Sequence, residues 1–243
     1  MPKRTLAALS LIAFSFGASA AVTVTTGAGY VPMVEKLVEV CKNETAAPIE
    51  KSFGGNIGQV LAQVKSGSGV NVVVSDRTTL LKLKTPVKFS TLQTLGTLPL
   101  MLVWRKGVTI DAPEDLAKDA VARIAHSDPK AAVYGRAGTE WVASRPEAVK
   151  NALTPKLLGV AGVPQAMSYV LQGEVDAGFV NWQAAQKSRA KLGGVMVIEE
   201  GYEPIEMVAA VVADAEKDAD VRNFLGCLAS PKGKKVLEKA GVR

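Results

Sequence analysis

Histidine occurs once in this chain, as His126, and cysteine twice, as Cys41 and Cys227, which is thin material for a metal centre and implies neither a metal nor a cofactor. With one imidazole, a nucleophile carrying its own base is hard to assemble, and the sequence has no GxSxG elbow, no phosphate-binding GxxxxGK loop and no HExxH. The segment Gly27-Ala28-Gly29-Tyr30 lacks the third glycine of a dinucleotide turn. These absences argue against an enzyme, leaving a pair of carboxylates as the one catalytic arrangement still open. Basic residues are scattered, without the stripe expected of a nucleic-acid binder, and the formal charge of +6 weakly favours small anionic ligands.

Long apolar runs are also missing, apart from Leu6 to Phe16 near the start. Lys3 and Arg4 precede that run and Ala18-Ser19-Ala20 follows it, the layout of a cleavable secretory signal. The run is too short to span a bilayer. Residues 1–20 are therefore expected to be removed, which lowers the formal charge to +4, and the mature chain from Ala21 is expected to be exported. In an oxidising compartment Cys41 and Cys227 can pair, pinning the last helical pattern to the first; the alternative is two buried thiols.

What is present is an alternation of strand and helix patterns. It begins at Thr23 to Tyr30, TVTTGAGY, where a β-branched run enters a glycine turn and then the helical spacing of Val31 to Val40. A turn of this kind leaves backbone N–H groups pointing outward with a helix dipole behind them, a setting suited to an anion. The pattern recurs at Ser52 to Gly58. Further strands are expected at Ile49–Phe53, Val70–Val74, Leu98–Trp104, Arg123–Ser127, Ala177–Val180 and Met207–Ala213. Helices are expected at Gly58–Ser66, Ala166–Gln172, Asn181–Leu192, Ala219–Ala229 and Lys232–Ala240. The expected class is α/β, with mainly parallel sheets flanked by helices and a ligand at the carboxyl ends of the strands.

Six stretches in this order carry a resemblance: VTVTTGAGY, SFGGNIGQVLAQVKSG followed by VNVVVSD, LMLVW, AHSDPKAAVYGRAG, AGVPQAMSYVLQGEVDAGFVNWQAA, and VRNFLGCLASPKGKKVLEKAGVR. From Val22 to Arg243 the chain resembles the periplasmic molybdate-binding proteins that deliver oxyanions to ABC transporters. The resemblance implies a two-lobed, type II periplasmic binding fold. Lobe I would comprise residues 21–102 and 210–243, lobe II residues 103–209, with crossovers near Leu102 and Ala209. It also implies a monomer that captures molybdate or tungstate between its lobes and docks on an inner-membrane permease. A different oxyanion, a small organic acid, or docking on a sensor kinase are the alternatives.

The resemblance fails at the positions that would touch the ligand. The family's serine hydroxyls fall at Gly29 and at Asn56 or its glycine neighbours, its binding tyrosine falls at Asn181, and its backbone donors fall near Tyr134 and Val163. Losing hydroxyls enlarges the site and admits a ligand with donors of its own. Arg136, Tyr30, Tyr134 and Thr26 are the candidates to replace the lost donors. Each has a plainer reading: a solvated helix-end arginine, core tyrosines, a β-forming threonine. Trp182 walls an organic ligand or simply packs. Asp76 reads as a helix cap or a partner of Arg77, and His126 as a loop residue serving as a hydrogen-bond partner.

Overall fold

The computed structural model describes residues 21–83, 87–130 and 132–243; the expected signal segment lies outside them. Two five-stranded sheets are each flanked by helices. The first runs in the order β2 (Ile49–Lys51), β1 (Val22–Thr26), β3 (Val72–Asp76), β10 (Ile205–Val212) and β4 (Phe89–Leu98). The second runs β7 (Leu157–Val160), β6 (Ile124–Ser127), β8 (Ala177–Val180), β5 (Leu100–Trp104) and β9 (Gly194–Ile198).

Both sheets are mixed in one particular way. β1 is parallel to β2 and β3, while β10 is antiparallel to β3 and β4. Likewise β6 is parallel to β7 and β8, while β5 is antiparallel to β8 and β9. The reversed strand in each sheet is therefore the one the chain enters on crossing from the other. Val72, Val73 and Val74 are fully buried in β3, which explains their continuous apolar run at the centre of a sheet covered on both faces.

The crossovers differ from the positions expected at Leu102 and Ala209. Leu98 pairs with Ile205 in the first sheet, whereas Leu100 already pairs with Ile198 in the second. The first crossing thus occurs at Pro99, which has no N–H to continue a ladder, and the second over residues 199–204. Residues 100–102 belong to the second sheet and 205–209 to the first. Three strands that the sequence reading did not name, β4, β7 and β9, lie at sheet edges. β4 is polar along most of its length, whereas β7, LLGV, and β9, GVMVI, are apolar but short and mostly half-buried.

The helices are α1 (Val31–Cys41), α2 (Ile57–Lys65), α3 (Arg77–Lys82), α4 (Val133–Ala143), α5 (Glu147–Leu153), α6 (Val163–Gln172), α7 (Trp182–Ser188), α8 (Ala219–Ala229) and α9 (Pro231–Lys239). α1 buries Met33, Val34, Leu37, Val38 and Cys41 along one face. Cys41 is disulfide-bonded to Cys227 of α8, with Cα atoms 5.8 Å apart, which fastens the first helix to the chain's last turns.

Candidate functional site

A cavity of about 270 Å³ opens between the two sheets. Its walls come from the turn after β1 (Gly27 to Tyr30), the turn into α2 (Gly55 to Ile57, with Gln59), the start of α4 (Ala132 to Tyr134) and the start of α6 (Ala161 to Gln165). Each wall follows the carboxyl end of a parallel strand, two from each sheet, as open α/β sheets place their ligands.

Most α-helix starts away from this cavity carry a side-chain cap, α5 behind Pro146 being the exception. α3, α7, α8 and α9 begin on Asp76, Asn181, Asp218 and Ser230, whose side chains accept first-turn N–H groups. At the cavity, the short 3-10 turn Ala28–Tyr30 leading into α1, α4 and α6 have no side-chain cap. Only α2 is capped there: Asn56 Oδ1 accepts from Gln59 N at 3.1 Å, and Gln59 Oε1 accepts from Asn56 N at 2.9 Å. The first turns of α4 and α6 therefore keep N–H donors and a partial positive charge facing the space in front of them, while in the 3-10 turn Ala28 N already donates to Gly55 O at 2.9 Å and Tyr30 N to Gly27 O at 2.9 Å.

Glycine acts differently in the two turns. Gly55 has φ +67°, and a Cβ there would collide with the Gln59 side chain that closes the capping box. Gly27 and Gly29 are not in the left-handed region, so the tight turn expected of them needs no glycine. A Cβ at Gly29 would meet only ordinary contacts, the nearest being Asn181 Nδ2 at 3.6 Å.

Gly29, Tyr30, Asn56, Tyr134 and Val163 all line the cavity. Thr26, Arg136 and Asn181 do not. Thr26 is buried and donates to Val74 O at 2.7 Å, so its hydroxyl joins two strands. Asn181 caps α7 through Oδ1, at 2.8 Å from Ala184 N, and its Nδ2 donates to Gly29 O, tying the two sides of the interface together.

Arg136 is the main correction. It is 7 % exposed, and its Nη2 lies 3.1 Å from Asp76 Oδ2 at the end of β3. Its Nη1 donates to Glu140 Oε2 at 2.8 Å and to Glu203 O at 3.3 Å. Lys82 extends the cluster to Glu203 at 2.9 Å. The guanidinium is thus held by acids and joins the two halves of the molecule behind the cavity. Asp76 caps α3 as expected, with Thr79 N at 2.9 Å, but its ion partner is Arg136, while Arg77 pairs with Glu206 at 2.8 Å. Burial raises the Asp76 carboxyl above its ordinary range against the opposing pull of Arg136.

Between cavity and ion cluster stand Tyr30 and Tyr134, one from each side, with ring centroids 5.8 Å apart. Burial raises both phenols above their ordinary pKa and keeps them neutral. Each hydroxyl has the other as a polar neighbour, but neither meets a partner in strict hydrogen-bond geometry among the described residues. Trp182 is away from the cavity, packed so closely that a Cβ on Gly241 would overlap its ring. His126 sits within β6, not in a loop, and shares a 2.7 Å hydrogen bond with Thr139. The sequence signal that was missed at this site is Gln165, whose Oε1 accepts from Ala161 N at 2.8 Å and shapes the α6 wall. A glutamine two residues into a helix behind Gly162-Val163-Pro164 is the pattern that could have shown it.

A sequence profile described as bacterial extracellular solute-binding protein matches residues 22–243. A putative binding protein of Haemophilus influenzae is 27% identical over 248 residues, covering 98% of each chain. The molybdate-binding protein ModA of Azotobacter vinelandii is 26% identical over 230 residues, covering 92% of this chain and 90% of that one. The solved structure of the Azotobacter vinelandii periplasmic molybdate-binding protein superposes with a TM-score of 0.77 at 25% identity, covering 91% of this chain and 98% of its own.

Proposed function

The chain belongs to the bacterial extracellular solute-binding protein family, and from that premise we propose that it captures a small anion between two lobes and presents it to an ABC permease. The lobes are built on the two sheets, residues 21–98 with 205–243 forming one and residues 100–198 the other. The observation that carries the reading is the set of uncapped helix starts facing one cavity from both sheets. The α4 and α6 termini each present roughly half a positive charge, so together they offset the charge of a singly charged head with no lysine or arginine among the described residues of the wall. The ligand bridges the lobes and so shifts an open-to-closed population.

Likeness to the Azotobacter molybdate-binding protein supports an oxyanion of the molybdate or tungstate class as one candidate occupant. The same likeness supports a periplasmic location, and we propose that the chain acts as a monomer. The test is a thermal-shift screen of the purified protein against molybdate, tungstate, sulfate, phosphate and small carboxylates. A ligand at 100 times its Kd adds about 2.7 kcal/mol of stability, a shift that is easily read. Stabilisation by at least one anion, absent with neutral analogues, is expected; an equal response to charged and neutral compounds would sink the anion reading.

A further inference from the structure

Resting on the reading of this cavity as an anion site, we infer that its occupant is an organic anion, a single charged head on a short apolar body, and not a bare tetrahedral oxyanion. Size is the first reason. Counting each oxygen of an oxyanion as a whole water of about 30 Å³, four of them fill about 120 Å³. The cavity measures about 270 Å³, close to the lower end, about 300 Å³, of pockets that take organic ligands.

Closure does not remove the excess, because the two sides already touch. Asn181 donates to Gly29 O across the interface, and the rings of Tyr30 and Tyr134 meet at 5.8 Å. A Cβ on Gly29 would stand 3.8 Å from Val163 Cγ2 of the opposite wall. The measured space is that of lobes in contact.

The lining is the second reason. A bare oxyanion accepts hydrogen bonds in every direction and needs donors all round it. Here the donors are the helix starts together with the side-chain amides of Asn56 and Gln59, while Ala28, Ile57, Val133, Val163 and Pro164 make up an aliphatic part of the wall. The acceptor oxygens of Gln59 and Gln165 are already held by backbone N–H groups, and Gln165 Nε2 donates to Tyr169 Oη at 2.8 Å. Oxygens of a bare oxyanion turned toward the aliphatic wall would be desolvated without partners, whereas methylene groups there are favourable.

Calorimetric titration of the purified protein with matched pairs tests this: phosphate against ethyl-, propyl- and butylphosphonate, sulfate against propanesulfonate, formate against butyrate, with molybdate, tungstate and butanol alongside. The expected result is that one organic series binds at least tenfold tighter than its bare head. Within that series each added methylene should tighten binding by about fourfold until the cavity is full. Ala28→Leu, at an exposed position of the wall, should cost that series tenfold or more by filling the space meant for its apolar body. Tightest binding by molybdate or tungstate overturns the inference and leaves the anion site standing. Butanol binding as well as the organic anions overturns the anion site itself, and no binding by any compound overturns both.

Discussion

The front and the back of the interface between the sheets solve opposite problems with opposite chemistry. At the front, around the cavity, no lysine, arginine, aspartate or glutamate lines the wall among the described residues, and backbone N–H groups at the starts of α4 and α6 are left uncapped. At the back, Lys82, Asp76, Arg136, Glu140 and Glu203 form a closed cluster in which each charge has an opposite neighbour. Side-chain charge holds the two halves together, and fixed backbone dipoles are reserved for the occupant. Tyr30 and Tyr134 separate the two, so an anion at the front is not repelled directly by Asp76.

The harshest way to break this division is at the back. Arg136→Met leaves Asp76, 0 % exposed, as an uncompensated carboxylate, and should cost about 3 to 5 kcal/mol in denaturant unfolding. Asp76→Asn in the same chain should recover much of that loss. The pH dependence has a definite sign. Burial already raises the folded-state pKa of Asp76, so protonation favours the folded form, and the deficit of Arg136→Met should be largest at neutral pH and shrink on acidification. A deficit that grew with acid would show that Arg136 is not the counterion.

A cut outside both regions separates stability from binding. Cys41→Ser with Cys227→Ser removes a link closing 186 residues and should cost about 2 to 5 kcal/mol, while ligand affinity measured on folded protein stays unchanged. Affinity lost in proportion to stability would mean that the cavity depends on the α1–α8 tie. Gly29→Ser then sharpens the front alone. Its new Cβ meets only ordinary contacts, so the fold should be unaffected, and the added hydroxyl should tighten a bare oxyanion by about tenfold, roughly 1.4 kcal/mol.

The smallest expected effect serves as a control. Burial lowers the pKa of His126, so the unfolded chain takes up a proton before the folded one as pH falls through about 6.5. Stability present above that pH should decline below it, and His126→Gln should flatten the decline in a series of melting curves.

Residues whose role is set by near neighbours were legible in the sequence. The β-branched run before GAGY, the valines of β3 and the Asn56 turn each show their element within a few residues. Arg136 shows why the rest was not. Its glutamate at i+4 is visible along the helix, but Asp76 lies 60 residues away and Glu203 lies 67 residues away, so the residue reads as free until the fold is known. Asn181 is similar, since its partner Gly29 is 152 residues distant. β4 was missed for another reason: FSTLQTLGTL is polar and half-exposed, and only pairing with β10 makes it a strand.

That pairing has a consequence for the order of assembly. β10 lies between β3 and β4, and β4 has no other neighbour in its sheet, so the first sheet stays split until residue 212 is available. The second sheet is built wholly from residues 100–198 and is complete earlier along the chain. A chain that emerges amino end first, from a ribosome or through a membrane pore, carries the two edges of its opening strands unpaired for more than a hundred residues of synthesis or passage. The last strand to arrive is the one that closes them, which makes folding wait on the tail of the sequence.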